Sequence, residues 1–429
     1  MQGHDTRVSI LPNGLTVVTA SMASAKSISL GYWVKAGARD ETASEHGMAH
    51  LLEHMAFKGT ERRDAAMIAR EVEDRGGFIN AHTSREETAY YLRLMPEDIG
   101  FGVDLLADLL TRSTYPDNEL VREKNVIVQE IGQSHDTPDD LIFDLYQGIA
   151  HGDHALARPI LGTVESVTGF SRDNIHAFLG CHYAADNIIV AASGRVDHDD
   201  FVAMVGEAFS PLSAAADTMP RHASPWPGMT APRRLIHHRE LEQAHLVMGL
   251  KGMSVNDDDA LTLALLSVLY GGGMSSRLFQ EAREKRGLCY SVFSYPQGYA
   301  DCGQLTIYAG TSVDDAAEMV KLAGAEMATL ATAASADETA RARAQIRASL
   351  MMRQESVASV CESLPRHLIY FGRIIPVAEQ LEKISGITEA DIRRVASRLI
   401  EEPPVLAAIG PLADGDLPDE DALRSAFAA

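Results

Sequence analysis

Apolar and polar positions follow two rhythms along the chain. Val8 to Ala20 (VSILPNGLTVVTA) sets a Pro12-Asn13-Gly14 turn between two strand-like runs, which predicts a hairpin. Ser27 to Val34 predicts another strand, Thr88 to Met95 (TAYYLRLM) a third, and Asn187 to Ala192 (NIIVAA) a buried one closing at Gly194. Between them, Gly47–Phe57, Ala65–Asp74, Ile99–Leu110, Leu120–Ile131 and Asn174–Leu179 carry helical spacing. The second half repeats this order. Leu246–Lys251 is strand-like, Leu261–Tyr270 is an apolar helix, Ser276–Lys285 a second helix, Gln304–Tyr308 a strand and Asp314–Leu330 a helix. VTGFSRDNI (Val167 to Ile175) parallels ISGITEADI (Ile384 to Ile392), and VAASG (Val190 to Gly194) parallels LAAIG (Leu406 to Gly410). All these pairs share one offset, a little over 210 residues, so the chain reads as two copies of one unit.

The join is marked by Pro211, Pro220, Pro225, Pro227 and Pro232, five of 17 prolines within a short stretch. The expected organisation is a first domain over residues 1–215, a linker over 216–236 and a homologous second domain over 237–429. The fold class is α+β: two related domains, each a mostly antiparallel sheet with packed helices, facing each other as a clamshell whose cleft suits a ligand.

Composition narrows the function. Hydrophobic residues are 46% of the 429 and charged residues 23%, which argues for a packed core and against disorder. Sixty acidic against 38 basic residues give a formal charge of -22, a surface that repels phosphate backbones and anionic membranes and favours basic peptides. No apolar run approaches the ~20 residues that cross a bilayer. The opening residues, Met1 to Asp5, have neither a basic nor an apolar leader character, and the cytoplasm is the expected address. Four cysteines without a CxxC pair do not make a disulfide framework. Cys181, Cys289 and Cys361 are expected as buried thiols.

The sharpest chemical signal is His50-Leu51-Leu52-Glu53-His54 within HGMAHLLEHMAF. Two histidines four apart project from one helix face, one turn above the other, and suit two ligands of a tetrahedral Zn²⁺. Glu53 reaches a water at that metal without taking a coordination position, in the reversed order of the HExxH pattern. The plain alternative is a polar helix edge. Met48, Leu51, Leu52, Met55 and Phe57 argue against it, because a buried helix carrying two imidazoles and a carboxylate needs compensation. The corresponding stretch of the second copy, near Leu265–Leu269, has no such groups. A third ligand is required, and Glu123 or Glu130 in ELVREKNVIVQEIG could reach it from one face of a second helix. Glu123 alone reads as part of a solvated face, whereas Glu130 lies on the apolar side near Val128 and Ile131. Gly271-Gly272-Gly273 lacks the Lys-Ser/Thr of a phosphate loop and reads as a helix break.

Together with GGFINAHTSREETAYY (Gly76 to Tyr91), REKNVIVQEI (Arg122 to Ile131) and GGGMSSRLFQEAREKRGLCYSVFS (Gly271 to Ser294), the His46–Thr60 segment resembles the pitrilysin/insulinase family of zinc metallopeptidases over nearly the whole chain. The likeness is to its short two-domain members, similar to the mitochondrial processing peptidase β subunit. The resemblance implies one Zn²⁺ per chain held by His50, His54 and Glu130, with Glu53 as base and Glu123 supporting the ligand shell. It places Asn80 and Ala81 on a sheet edge that takes an extended peptide by strand addition. It assigns Arg283 to the substrate backbone and Tyr290 to the developing oxyanion. The expected protein is a zinc-dependent endopeptidase acting on peptides or unfolded segments inside a chamber, as a homodimer. The alternatives are a processing-type subunit that needs a partner chain and a non-catalytic zinc- or peptide-binding subunit.

Overall fold

A computed structural model describes residues 4–215, 228 and 233–428. The first half of the chain forms strands β1 (Asp5–Ile10), β2 (Thr16–Ser21), β3 (Ile28–Val34), β4 (Phe78–Thr83), β5 (Thr88–Leu94) and β6 (Ile188–Gly194). Its helices are α1 (Met48–Ala56), α2 (Ala65–Glu73), α3 (Ile99–Thr111), α4 (Asp117–Asp136), α5 (Pro138–His151), α6 (Val164–Gly169), α7 (Arg172–His182) and α8 (His198–Ala208). The second half adds β7 (Arg234–His238), β8 (Ala244–Lys251), β9 (Cys289–Gly298), β10 (Gly303–Thr311) and β11 (Val405–Gly410). Its helices are α9 (Ala260–Gly271), α10 (Val313–Thr332), α11 (Ala336–Glu355), α12 (Val357–Phe371), α13 (Val377–Gly386), α14 (Glu389–Leu399) and α15 (Glu420–Ala426).

The repeat is visible in the sheets. The first runs β1-β2-β6-β3-β5-β4 and the second β7-β11-β8-β10-β9. In each, one neighbouring pair is parallel (β2 with β6, β7 with β11) and the rest are antiparallel, so the mixed α+β class and the mostly antiparallel sheets are as the periodicity indicated. The predicted hairpin closes with Ile10 opposite Thr16, and Gly14 takes φ +89°, a left-handed conformation that glycine adopts without a Cβ clash. β3 and β6 are buried along their whole length, which explains their unbroken apolar runs.

Two compact units result, but they are not the two contiguous copies. One gathers Met1–Gln133, Arg158–Ala223 and Met352–Ile375. The other gathers Ser134–Ala157, Ser224–Met351 and Pro376–Ala429. The boundaries expected at 215 and 237 follow the repeat, whereas compactness follows an exchange of helices. In the first unit, α12 lays Val360, Cys361 and Leu364 against Val18, Ala20, Trp33, Ala89, Ile189 and Ala191. In the second, Ile142, Tyr146 and Ala150 of α5 pack on Val247, Val405, Ala407 and Ile409. Gly249 accommodates that helix: a Cβ there would lie 1.8 Å from the Tyr146 hydroxyl. Most of the expected linker, 216–227 and 229–232, lies outside the described residues, and its end is strand, since β7 starts at Arg234.

One further expectation changes. Cys289 and Cys361 are buried, but Cys181 is exposed, because Ile175, Phe178 and His182 take the buried stripe of α7. The helix expected over 276–285 is present, and its Phe279–Lys285 part is π-helical. Among the described residues no helix is long and apolar enough to cross a membrane.

The exchange generates a stability prediction. Leu364→Ala removes a 4% exposed side chain from the α12 contact and should lower the stability of the first unit by about 2–4 kcal/mol. A denaturant midpoint indistinguishable from the unsubstituted protein would show that α12 does not complete that sheet.

Candidate metal centre

Helix α1 is short and divided. Met48, Ala49, Leu51, Leu52, Met55 and Ala56 are buried in the first core, leaving His50, Glu53 and His54 on the remaining stripe. The imidazoles are neighbours, with ring centroids 4.7 Å apart at 60°. Helix α4 brings the acid. Leu120, Glu123 and Ile127 form its buried stripe with Ile131, and Glu130 stands beside that stripe. Glu130 Oε2 lies 3.8 Å from His50 Nε2 and 3.6 Å from His54 Nε2.

Those separations are too long for hydrogen bonds. They are close to the edge of a tetrahedron built on bonds of about 2.0–2.2 Å, which is about 3.4 Å. One ligand atom from each of His50, His54 and Glu130 lies within 4.8 Å of the others, and among the described residues this is the one such His/Cys/Asp/Glu group. The donor set, two imidazole nitrogens and a carboxylate oxygen, is one that zinc accepts. Burial, and then the neighbouring His54, hold the His50 imidazolium down to about 4, so at neutral pH His50 offers a lone pair. The residues fit a divalent metal.

The next layer orients the set. Glu123 is only 6% exposed, not the solvated group its spacing alone suggested. Its Oε2 is 3.0 Å from His54 Nδ1. A carboxylate only accepts, so Nδ1 carries the proton and Nε2 faces Glu130 with its lone pair. Lys58 Nζ donates to the other oxygen, Oε1, at 2.7 Å and neutralises the buried charge. His50 has no such support: its Nδ1 is buried without a hydrogen-bond partner.

Glu53 points elsewhere. Its Oε2 accepts from Thr83 Oγ1 at 2.6 Å, and the same hydroxyl lies 3.4 Å from Ala49 O. Thr83 ends β4, the outer strand, whose one neighbour among the described residues is β5. Asn80 is exposed on that strand opposite Tyr91, its Oδ1 accepting from Ala81 N at 2.9 Å, and Ala81 is buried. The carboxylate on α1 and the open edge of β4 are thus tied by one hydrogen bond.

Arg283 and Tyr290 belong to the second unit. There the Arg283 guanidinium lies 5.0 Å from the Tyr290 ring centroid and 4.7 Å from that of Phe279. Tyr290 is 79% exposed on the outer strand β9, whereas its neighbour Cys289 is buried. In the same unit α9 is buried almost all round by Leu263, Leu265, Leu266, Leu269 and Tyr270, and it carries neither His nor carboxylate.

Sequence reasoning missed Lys58 and Thr83. Both lie inside the quoted motifs, but their partners are 65 and 30 residues away, and no local spacing announces either bond. Lys58→Met should weaken zinc binding roughly tenfold, the usual cost of losing support behind a ligand. Competition with a chelating dye measures this, and an unaltered affinity would remove Lys58 from the site.

The chain is similar to known proteins along most of its length. The sequence pattern described as Insulinase (Peptidase family M16) matches residues 16–164, and that described as Peptidase M16 inactive domain matches residues 169–346. The chain is 37% identical over 413 residues to an uncharacterized zinc protease of Streptomyces coelicolor, covering 95% of this chain and 90% of that one. It is 32% identical over 435 residues to a probable mitochondrial-processing peptidase subunit beta of Arabidopsis thaliana, covering 99% and 81%. In three dimensions it is similar to the crystal structure of a protease from Helicobacter pylori, with a TM-score of 0.88 at 22% identity over 96% of this chain and 100% of that one. With both domain patterns matched in order and relatives aligned almost end to end, the chain belongs to the insulinase family of zinc proteases, peptidase family M16.

Proposed function

We propose that the protein is a zinc-dependent endopeptidase that hydrolyses extended peptides or unfolded segments. The observation that carries the reading is the pairing, on one nine-residue helix, of two imidazoles that converge with Glu130 and a carboxylate that does not join them. His50, His54 and Glu130 would hold one zinc ion. When bound, that ion supplies a Lewis acid that brings the pKa of a water toward about 7. Glu53 takes a proton from the attacking water and returns it to the leaving amine. Thr83 holds the Glu53 carboxylate in one rotamer while leaving its other oxygen free to work. Substrate pairs with the outer edge of β4, where main-chain hydrogen bonds bind an extended chain without reading much of its sequence. The acidic surface favours basic peptides. The roles of Arg283 and Tyr290, in binding substrate backbone and stabilising the oxyanion, rest on the family resemblance.

A second reading has one specific support: the Arabidopsis relative is named as a subunit. A chain that needs a partner would bind zinc alone yet turn over peptide only when that partner is supplied.

Two substitutions test the primary reading. Glu53→Gln should keep zinc bound and lose about 10²–10⁴-fold in cleavage of an unstructured quenched peptide, with chelator-treated protein as the blank. Turnover within about twofold of the unsubstituted protein would eliminate Glu53 as the proton carrier. Thr83→Val should cost roughly tenfold in kcat, as expected for losing one hydrogen bond to a charged group, with zinc affinity unchanged. Equal kcat would reduce Thr83 to a packing residue.

A further inference from the structure

The two imidazoles of α1 are supported unequally. His54 is fixed through Nδ1 by Glu123, whereas His50 Nδ1 has no hydrogen-bond partner. The placement of His50 Nε2 therefore depends on how the first turn of α1 is held. That turn has an unusual cap. Its N-cap residue, Gly47, has φ +92° and no side chain to accept from the turn. No other residue fits there: a Cβ would stand 2.9 Å from both Gly162 Cα and Leu161 O, in a conformation that side chains resist. The position cannot carry the Ser, Asp or Asn that ordinarily caps a helix.

A carboxylate from outside the helix fills this role. Glu41 Oε2 accepts from Gly47 N at 2.9 Å, and Oε1 accepts from Ala49 N at 2.8 Å. Glu41 is 4% exposed, and its carbonyl oxygen accepts from the Arg158 guanidinium. Desolvation raises its carboxyl, while the N–H groups of Ala49 and Gly47 oppose that shift by stabilising the ionised form, which accepts with both oxygens. The segment that carries it is anchored in turn. Ala38 N donates to Ser84 O at 3.0 Å, Arg39 N donates to Arg85 O at 2.8 Å, and the Arg39 and Glu86 side chains form a 2.7 Å ion pair that is almost fully buried. Such an arrangement is costly to build and fixes both the height and the rotation of α1 one residue before His50.

We propose that Glu41 is a positioning residue for the metal centre, acting through the first turn of α1 on His50 and, three residues on, Glu53. The inference rests on the zinc reading above. Both oxygens are used, so the isosteric amide of Glu41→Gln must turn its NH₂ toward one N–H and cannot cap both.

The test compares Glu41→Gln with Asp64→Ala in the full-length protein. Asp64 caps α2 by accepting from Met67 N at 2.7 Å and lies outside the metal machinery, so it controls for the stability cost of losing a cap. Zinc affinity is measured by competition with a chelating dye, thermal stability on the metal-free protein, and kcat and KM at saturating zinc. Glu41→Gln is expected to bind zinc roughly tenfold more weakly and to lose kcat with KM unchanged. Asp64→Ala is expected to melt lower with zinc affinity unaltered. If Glu41→Gln does not fold, Glu41→Asp, too short to reach both N–H groups, carries the same readings. Zinc affinity and kcat equal to the unsubstituted protein, or an equal loss of zinc affinity in Asp64→Ala, would overturn the positioning role. An unsubstituted protein that binds no zinc would instead overturn the metal reading itself.

Discussion

Helix α1 is the element on which the rest of the site turns, and its constraint is desolvation. Six of its nine residues are buried apolar side chains, so the helix sits where its polar stripe has little access to water. Every polar group on such a helix must find compensation within the protein or through a ligand. The structure answers group by group. Glu123 takes His54, Thr83 takes Glu53, Glu41 takes the N–H groups of the first turn, and the two Nε2 atoms with Glu130 are left to converge on one point. His50 Nδ1 alone of the groups named here stays without a hydrogen-bond partner, and the converging Nε2 atoms and Glu130 are the set that a metal would complete.

These partners arrive from a few places in the chain, and the 83–87 region is their crossroads. Thr83 donates to Glu53, and the following turn receives the backbone of Ala38 and Arg39 and pairs Glu86 with Arg39. Glu87, next in line, is bound by Arg366 of α12 at 2.7 Å. The β4–β5 connection thus ties the outer strand, the segment carrying the α1 cap and the exchanged helix to one another. Of its polar sequence, SREE, both glutamates are buried and ion-paired.

Much of this was legible from the residues alone. The strands β2, β3, β5 and β6 and the helices α1 to α4 announce themselves by period, and the repeat offset correctly pairs β6 with β11 and β3 with β8. The histidines at 50 and 54 share one helix face, as their four-residue spacing implies, and Glu130, which spacing left open against Glu123 and only the family resemblance singled out, lies beside them. What escaped was whatever depends on distance along the chain. Glu123 was ambiguous because a carboxylate on a charged helix gives no sign that Lys58 and His54 will enclose it. Glu41 was invisible because its partners are main-chain N–H groups, which every residue but proline supplies. Compactness follows something other than the repeat for a related reason: α5 and α12 occupy equivalent places in the repeat, and periodicity identifies a buried face without saying which sheet will bury it.

The exchange of α5 and α12 carries a consequence for how the protein is made. The last strand of the first sheet, β6, ends at Gly194, while the helix that covers Trp33 and Ile189 begins at Val357. At the usual pace of ribosomal synthesis, about 5–20 residues per second, that face waits on the order of ten seconds or more for its cover. A nascent chain with a finished sheet and a bare apolar side is a substrate for holding chaperones and for premature association. Committing late in translation is the burden a duplicated fold accepts when each copy is sealed by a helix from the other.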